Sequence, residues 1–341
     1  MRKLAVVIAL LALLLAGCVS REENSGAEQA PNAVPLSELS DLTLQIGDQK
    51  GGTEALLRAA GALENLPYKV AFSTFTSGPP QVEAATAGKI DFAITGNSPP
   101  IFGAASNAKV KVVSAYDGGG NGDQIVVHAD SPIHSISDLR GKSIAVGKGS
   151  SAHGHILGQL DKAGLSTSDV KLVFLQPADA LSAFTQRLAD AWAIWDPYTA
   201  QIAAQVPVRS IGQARDVTNG NWFGIASDQA LADPKRNTAL ADLLVRYEKA
   251  VRWAKDNPQK WAESYAAAVG LDVKVAEVVQ GRSLRLPTEL DDEIVASEQK
   301  LADLFAASGQ IASPAPKFEN WVDRRYNDTL RQGFISPSAP N

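Results

Sequence analysis

The sequence predicts an α/β protein of two lobes, each a mostly parallel sheet flanked by helices. Three observations carry this. Short apolar runs alternate with helical spacing from Asp41 to about Asn221, which is the order of parallel strands joined by helical crossovers. The alternation pauses at a glycine-rich segment, DGGGNGD (Asp117 to Asp123), and then starts again. After the last strand, WFGIAS, the spacing becomes helical almost to the end of the chain.

Taken in order, the first set reads LTLQIG, a helix over GTEALLRAAGAL, YKVAFSTF, a helix after Ser77, IDFAITG, a helix after Asn97, and VKVVSAY. Proline is tolerated at a first helical position, where its missing N–H would be unpaired anyway, and Ser or Asn ahead of it suits a cap. Ser77-Gly78-Pro79-Pro80 and Asn97-Ser98-Pro99-Pro100 therefore mark two helix starts. Between them Ile90, Phe92 and Ile94 fall on one face of a strand, Ala93 and Thr95 on the other. The second set reads QIVVHA, SIAVG, a helix from about Ser151 to Lys162, VKLVFLQ, a helix over ADALSAFTQRLA, AWAIWD, a further helix and VPVRSI. DGGGNGD lies where one set gives way to the other, as a crossover between lobes or as an ordinary loop. The tail carries three helical stretches, TALADLLVRYEKAVRWAKDNPQKWAESYAAAVG, DVKVAEVVQGRS and DDEIVASEQKLADLFAASG.

The first residues set the compartment. Arg2 and Lys3 precede an apolar run from Leu4 to Leu15 and then Ala16-Gly17-Cys18, the layout of a secretory signal peptide over residues 1–17. The run is too short for a permanent span. L-A-G-C resembles the bacterial lipobox, which implies lipidation of Cys18, the single cysteine of the chain. With that thiol spent, no disulfide and no thiolate chemistry is expected in the mature protein. Residues 18–40 are polar with Gly and Pro and read as a flexible tether. Loss of Arg2 and Lys3 moves the formal charge from −5 to −7, and an acidic chain without a basic block argues against nucleic acid as a partner.

In open α/β sheets ligands gather beyond the carboxyl ends of the strands. Four such ends carry Gln49-Lys50-Gly51-Gly52, Thr76-Ser77-Gly78-Pro79, Gly96-Asn97-Ser98-Pro99 and Lys148-Gly149-Ser150-Ser151-Ala152-His153. All four combine small residues, hydroxyls or amides with a helix start, a chemistry that suits a small anion held by backbone N–H groups and neutral donors. AWAIWDP adds Trp192 and Trp195, which point to opposite faces of a strand, so at least one is expected to leave the core. Trp195 or Trp222 could offer an apolar wall to a ligand's carbon chain. Asp196 lies at the same strand end, as a helix cap or a binding group. Catalysis has no positive sign: the four histidines include His153 and His155 at a spacing that does not share a helix face, and no cofactor or metal is expected.

At IGDQKGGTEALLRAAGALE, FTSGPPQVEAATAGKIDFAITGNSPPIFGAA, DLRGKSIAVGKGSSAHGHIL and DAWAIWDPY the chain resembles the aliphatic-sulfonate-binding proteins of bacterial ABC importers, which are type II periplasmic binding proteins. The resemblance runs from about Leu42 to the final helices. It implies two lobes joined by two crossover strands, residues 41–122 with 222–335 forming one and 123–221 the other. It also implies a ligand closed between them, delivery to a permease and its ATPase, and no chemistry on the ligand. The family's ligand-facing positions fall on Gln49, Lys50, Ser77, Gly78, Gly96, Asn97, Ser150, Ser151, His153, Trp192, Asp196 and Arg285. Family members often read H-R-P-P where this chain reads S-L-R-L-P, so Arg282 rivals Arg285; a glycine usual before D-A-W is missing from QRLADAW. The expectation is a monomeric, lipid-anchored receptor at the outer face of the cytoplasmic membrane for an aliphatic sulfonate, with taurine, nitrate or a thiamine-precursor-like molecule as alternatives. A sulfonate does not titrate near neutrality, so binding is expected to change little between about pH 6 and 8, and His153 would be the group to reveal itself otherwise.

Overall fold

The structure, a computed structural model, describes residues 30–50 and 52–331. The signal peptide, Cys18 and most of the tether lie outside the described residues, as does Gly51. The body starts earlier than Asp41: Leu36–Glu38 form a 3₁₀ turn, Leu39 is wholly buried, and the Val34 amide donates to Thr238 Oγ1 at 3.1 Å. The last residues of the expected tether are thus packed, because Val34 and Leu39 have apolar surface to bury.

In chain order the first elements are β1 (Thr43–Gln49), α1 (Gly52–Ala59), β2 (Lys69–Phe75), α2 (Gly78–Thr86), β3 (Phe92–Gly96), α3 (Ser98–Ala105) and β4 (Val110–Asp117). The chain then crosses to β5 (Gln124–His128), β6 (Ser143–Val146), α4 (Ser151–Lys162), β7 (Lys171–Phe174), α5 (Pro177–Thr185), β8 (Ala191–Ile194), α6 (Tyr198–Gln205) and β9 (Val208–Gln213). It returns through β10 (Asn221–Ser227) to α7 (Asp228–Ala232), α8 (Pro234–Asp256), α9 (Pro258–Val269), α10 (Val273–Ser283), β11 (Leu286–Thr288), α11 (Asp292–Ala307) and α12 (Asn327–Leu330).

Two sheets result, ordered β11-β4-β10-β3-β1-β2 and β7-β6-β8-β5-β9. Parallel pairing is confined to β2-β1-β3 and β7-β6-β8. β10 runs antiparallel to β3 and β4, and β5 antiparallel to β8 and β9. The sheets are therefore mixed, and less uniformly parallel than expected, because a strand arriving from the other lobe enters its sheet from the opposite end. DGGGNGD is the outward crossover and residues 214–220 the return. The two touch: Gly118 N donates to Gly220 O at 3.2 Å and Arg215 N to Gly120 O at 3.1 Å. A Cβ on Gly220 would lie 2.6 Å from Gly120 N, and both glycines hold positive φ, so neither position admits a side chain cheaply.

Both faces of the first sheet are covered. Phe92 and Ile94 of β3 join the apolar cluster under α1, α8 and α9, while Ala93 joins the one under α2 and α11. The alternation holds from Phe92 to Ile94, but Ile90, expected beside Phe92, packs with Ala93 on the other side because the strand starts only at Phe92; Thr95 is buried too, as in a strand with helices on each side. Two helices stop short of their sequence pattern. α1 ends at Ala59 because Gly61 turns left-handed and Ala62 N bonds back to Leu57 O at 2.8 Å; α5 ends at Thr185 because Arg187 adopts φ 60° and Leu188 N bonds to Ala183 O at 2.8 Å. The helical tail packs on the first sheet through α8 and α9 against α1, while α10 meets α6 and α11 meets both α3 and α4, spanning the lobes. β11 was not foreseen; three residues at the sheet edge are too few for a periodic signal.

Candidate functional site

The carboxyl ends of the strands face each other across the gap between the sheets, and a cavity of about 60 Å³ lies there. From the first lobe it takes Gln49 at the end of β1 and Lys50 after it, Asn97 after β3 and Trp222 on β10; from the second, Ser151 at the start of α4 and Trp195 and Asp196 after β8. The tail supplies Arg285, just before β11. These eight sequence-derived positions converge although they come from six separate segments.

Arg285 is the guanidinium at the cavity. Its Cζ lies 3.6 Å from the centroid of the Trp222 ring, a face-on stack that fixes the planar fork. Tyr247 lines the same cavity, and burial pushes its phenol above its ordinary value against the pull of Arg285. Arg282 is committed elsewhere. Its Nε and Nη2 each donate to Asp196 at 2.7 Å, and Ser283 Oγ donates to the same carboxylate at 2.8 Å. The Thr199 hydroxyl completes the cluster. Asp196, only 3% exposed at its side chain, is thus neither a helix cap nor a free ligand group but the second lobe's half of an ion pair across the cleft. Lys50, at φ 48°, reaches across too, with Nζ 5.2 Å from the centre of the Tyr198 ring.

The four loops do not contribute equally. At α1 the helix N-terminus already holds a carboxylate, since Asp48 Oδ1 accepts from Thr53 N at 2.8 Å and Glu54 N at 3.2 Å. At α2 and α3 neither Ser77 nor Asn97 spends its side chain on a cap. Asn97 Nδ2 instead donates to Asn219 Oδ1 at 3.3 Å, tying the cavity to the return crossover. Six expected residues do not line the cavity: Ser77, Gly78, Gly96, Ser150, His153 and Trp192. Ser77 Oγ lies 3.5 Å from Gln176 Oε1 of the second lobe. Gly78 packs against Thr95 and Pro99, and Gly96 against Ser151. Ser150 Oγ donates to Gly147 O at 2.7 Å, closing its own loop.

His153 and Trp192 are corrections. Two residues along a helix rotate a side chain by roughly 200°, so Ser151 faces the cavity and His153 faces away. His153 is wholly buried among Phe102, Phe174 and Phe305, with Nδ1 accepting from Gly149 N at 3.1 Å. Burial, helped by Lys148, lowers its pKa to about 4. Trp192 is wholly buried in the second lobe's core beside Phe184 and Tyr198. Trp195, one residue past the strand, stays 3% exposed yet forms cavity wall.

The sequence reading missed two groups of residues. Leu56, Val251, Trp261, Tyr265 and Val279 extend the apolar wall; at helical spacing they read as core, and nothing in the chain marks them otherwise. Asp123, last residue of DGGGNGD, brings a carboxyl to the cavity. Burial raises its pKa to about 7; Asp196 adds to the rise, whereas the Ser151 hydroxyl and Arg285 oppose it. The cavity thus has a titrating group near neutrality, and it is not His153. Among the described residues no cluster of His, Cys, Asp and Glu could hold a metal, and no helix is long and apolar enough to cross a membrane.

Residues 63–267 match the family described as ABC transporter, phosphonate, periplasmic substrate-binding protein. A Bacillus subtilis protein assigned as an aliphatic sulfonates-binding protein is 33% identical over 307 residues, 89% of this chain and 89% of its own. The crystal structure of the periplasmic aliphatic sulphonate binding protein from Escherichia coli superposes with TM-score 0.74 at 30% identity, over 84% of this chain and 93% of that one. The alkanesulfonate-binding protein from Xanthomonas axonopodis, bound to MOPS, gives TM-score 0.77 at 27% identity, over 84% and 99%. The chain belongs to the periplasmic substrate-binding proteins of ABC transporters, with the type II binding-protein fold and homology to the aliphatic-sulfonate-binding group.

Proposed function

We propose that this protein is the receptor of an ABC importer for an aliphatic sulfonate, captured between the lobes and delivered unaltered to the permease. The observation that carries this is the pairing, in one cavity, of the stacked Arg285 and the Asn97 and Ser151 donors with an apolar wall of Trp195, Trp222, Leu56 and Val251. A sulfonate keeps its charge at any working pH and has three acceptor oxygens, which a guanidinium fork meets with two parallel bonds. Its alkyl chain lies against the tryptophans. A cavity of about 60 Å³ is small beside the ~300–1,000 Å³ of drug-sized sites, so short-chain members fit best.

The first lobe is taken as 41–122 with 222–335, extended back to Val34 by the residues packed ahead of β1, and the second as 123–221, a division supported by the membership of the two sheets. They close on the ligand, and the protein acts as a monomer held to the outer face of the cytoplasmic membrane through Cys18. Ser77, Gly78, Gly96 and Ser150 serve by shaping the loops that carry Asn97 and Ser151. Calorimetry with methane-, ethane- and octanesulfonate, taurine, nitrate and methylphosphonate tests the ligand class. Heat with the short sulfonates and recovery of the ligand unchanged are expected. Silence with all sulfonates alongside a response to nitrate or methylphosphonate would overturn the assignment, as would release of sulfite.

A further inference from the structure

Asp123 is a carboxyl on the wall of a cavity read here as an anion site, and the inference below rests on that reading. Its backbone is held in place on that wall. Its carbonyl accepts from Ala214 N at 3.0 Å, β5 begins at the next residue, and it shares the cavity wall with Ser151, whose hydroxyl opposes the rise in its pKa. The charged and titratable groups around it come from every neighbouring element. Asp196 follows β8 and is shared with Arg282 of α10; Arg285 precedes β11; Lys50 follows β1. Arg215 follows β9 and donates to Asn121 at 3.0 Å. Tyr247 of α8 and Tyr265 of α9 close the far wall, Asp48 caps α1, and Glu298 of α11 lies buried behind Asn219. Among the described residues no lysine or arginine forms an ion pair with Asp123, and the Asp196 carboxylate repels it.

An ionised Asp123 would set a negative charge against the sulfonate in a site where water screens little. A sulfonate has no proton to offer, so the proton must come from solvent. We propose that Asp123 makes sulfonate binding in this cavity proton-linked: above its midpoint in the free protein it takes up a proton as an alkanesulfonate binds, presenting an O–H donor to it in place of a charge. In the free protein the carboxyl is already lifted to about 7, mainly by burial. A bound anion lifts it further. Sulfonate affinity is therefore complete below the free protein's midpoint and is lost as pH rises through it, by up to about tenfold per pH unit until the bound form's own midpoint is passed.

The test is calorimetry of the purified protein with ethanesulfonate from pH 5.5 to 8.5, in amine buffers, because sulfonic-acid buffers would compete. Two amines of different ionisation heat at pH 8 report proton uptake directly. A flat affinity below pH 6.5, a fall of about tenfold per unit above pH 7.5, and uptake approaching one proton at pH 8 are expected. Asp123→Asn is expected to lose both the slope and the uptake. A flat wild-type profile with no uptake overturns the inference and leaves the sulfonate reading standing, as does an Asp123→Asn protein that keeps the slope. Should that variant fail to fold, wild-type proton uptake alone decides. No binding at any pH overturns the inference and the sulfonate reading together.

Discussion

Replacing Arg285 with alanine removes the guanidinium that the account assigns to the sulfonate head. A hydrogen bond to a charged group contributes about 1.5–3 kcal/mol, and two parallel bonds from one fork sum to roughly 3–5 kcal/mol once the shared desolvation is counted. At about 1.4 kcal/mol per decade, the dissociation constant for ethanesulfonate rises roughly 100- to several-thousand-fold. Arg285→Lys keeps the charge but loses the fork and the planar stack on Trp222 at 3.6 Å, so its loss is intermediate. Calorimetry at pH 6 measures both. Arg282→Ala is the control: its charge is already bound to Asp196 through two contacts of 2.7 Å, so its effect falls first on stability and lobe closure. A folded Arg285→Ala protein that binds within threefold of wild type refutes the reasoning. So does an Arg282→Ala protein with an unaltered melting temperature and the larger loss of affinity.

Three further outcomes follow from the geometry. Asp196→Asn leaves Arg282 without its counter-ion; with Arg282 about a quarter exposed, the loss is about 1–3 kcal/mol, read as a lower melting temperature, and the radius of gyration from scattering increases. Equal values for both proteins would dismiss the ion pair as a latch. Gly78→Ala puts a Cβ 2.0 Å from Thr95 Oγ1 and 2.5 Å from Pro99 Cγ, an overpacking of about 1–3 kcal/mol or more that chemical denaturation would register. Burial raises the Glu248 carboxyl to about 8 against the pull of Arg252. The unfolded chain sheds that proton from about pH 4.3 upward, so Glu248 costs stability progressively between there and pH 8. Glu248→Gln should therefore stabilise by roughly 1–3 kcal/mol at pH 8 and by little at pH 5, and a gain independent of pH would count against the burial argument.

The parts of the fold written in local chemistry were legible. Pro-Pro after Ser77 and after Asn97 starts α2 and α3 where the backbone demands it, and the strand order along the chain gives the two sheets. What the chain does not write locally is which side of an element meets the cleft. Ser151 and His153 sit in one motif, yet helical rotation sends one to the cavity and the other into a phenylalanine cage. Trp192 and Trp195 look alike in AWAIWDP; the strand ends between them, and only the second reaches the wall. Arg282 and Arg285 are separated by the company each keeps, an aspartate from the other lobe or a tryptophan ring. Asp123 reads as a loop residue because its meaning depends on Ser151, Asp196 and Arg285, which are distant in sequence.

A crystal structure of the protein grown with ethanesulfonate tests the central claim most directly. The account predicts the sulfonate between the lobes, its oxygens about 2.7–3.2 Å from the Arg285 guanidinium and from Asn97 or Ser151 donors, and its ethyl group against Trp195 or Trp222. A sulfonate bound outside that cavity, or held there with Arg285 turned away from it, contradicts the account.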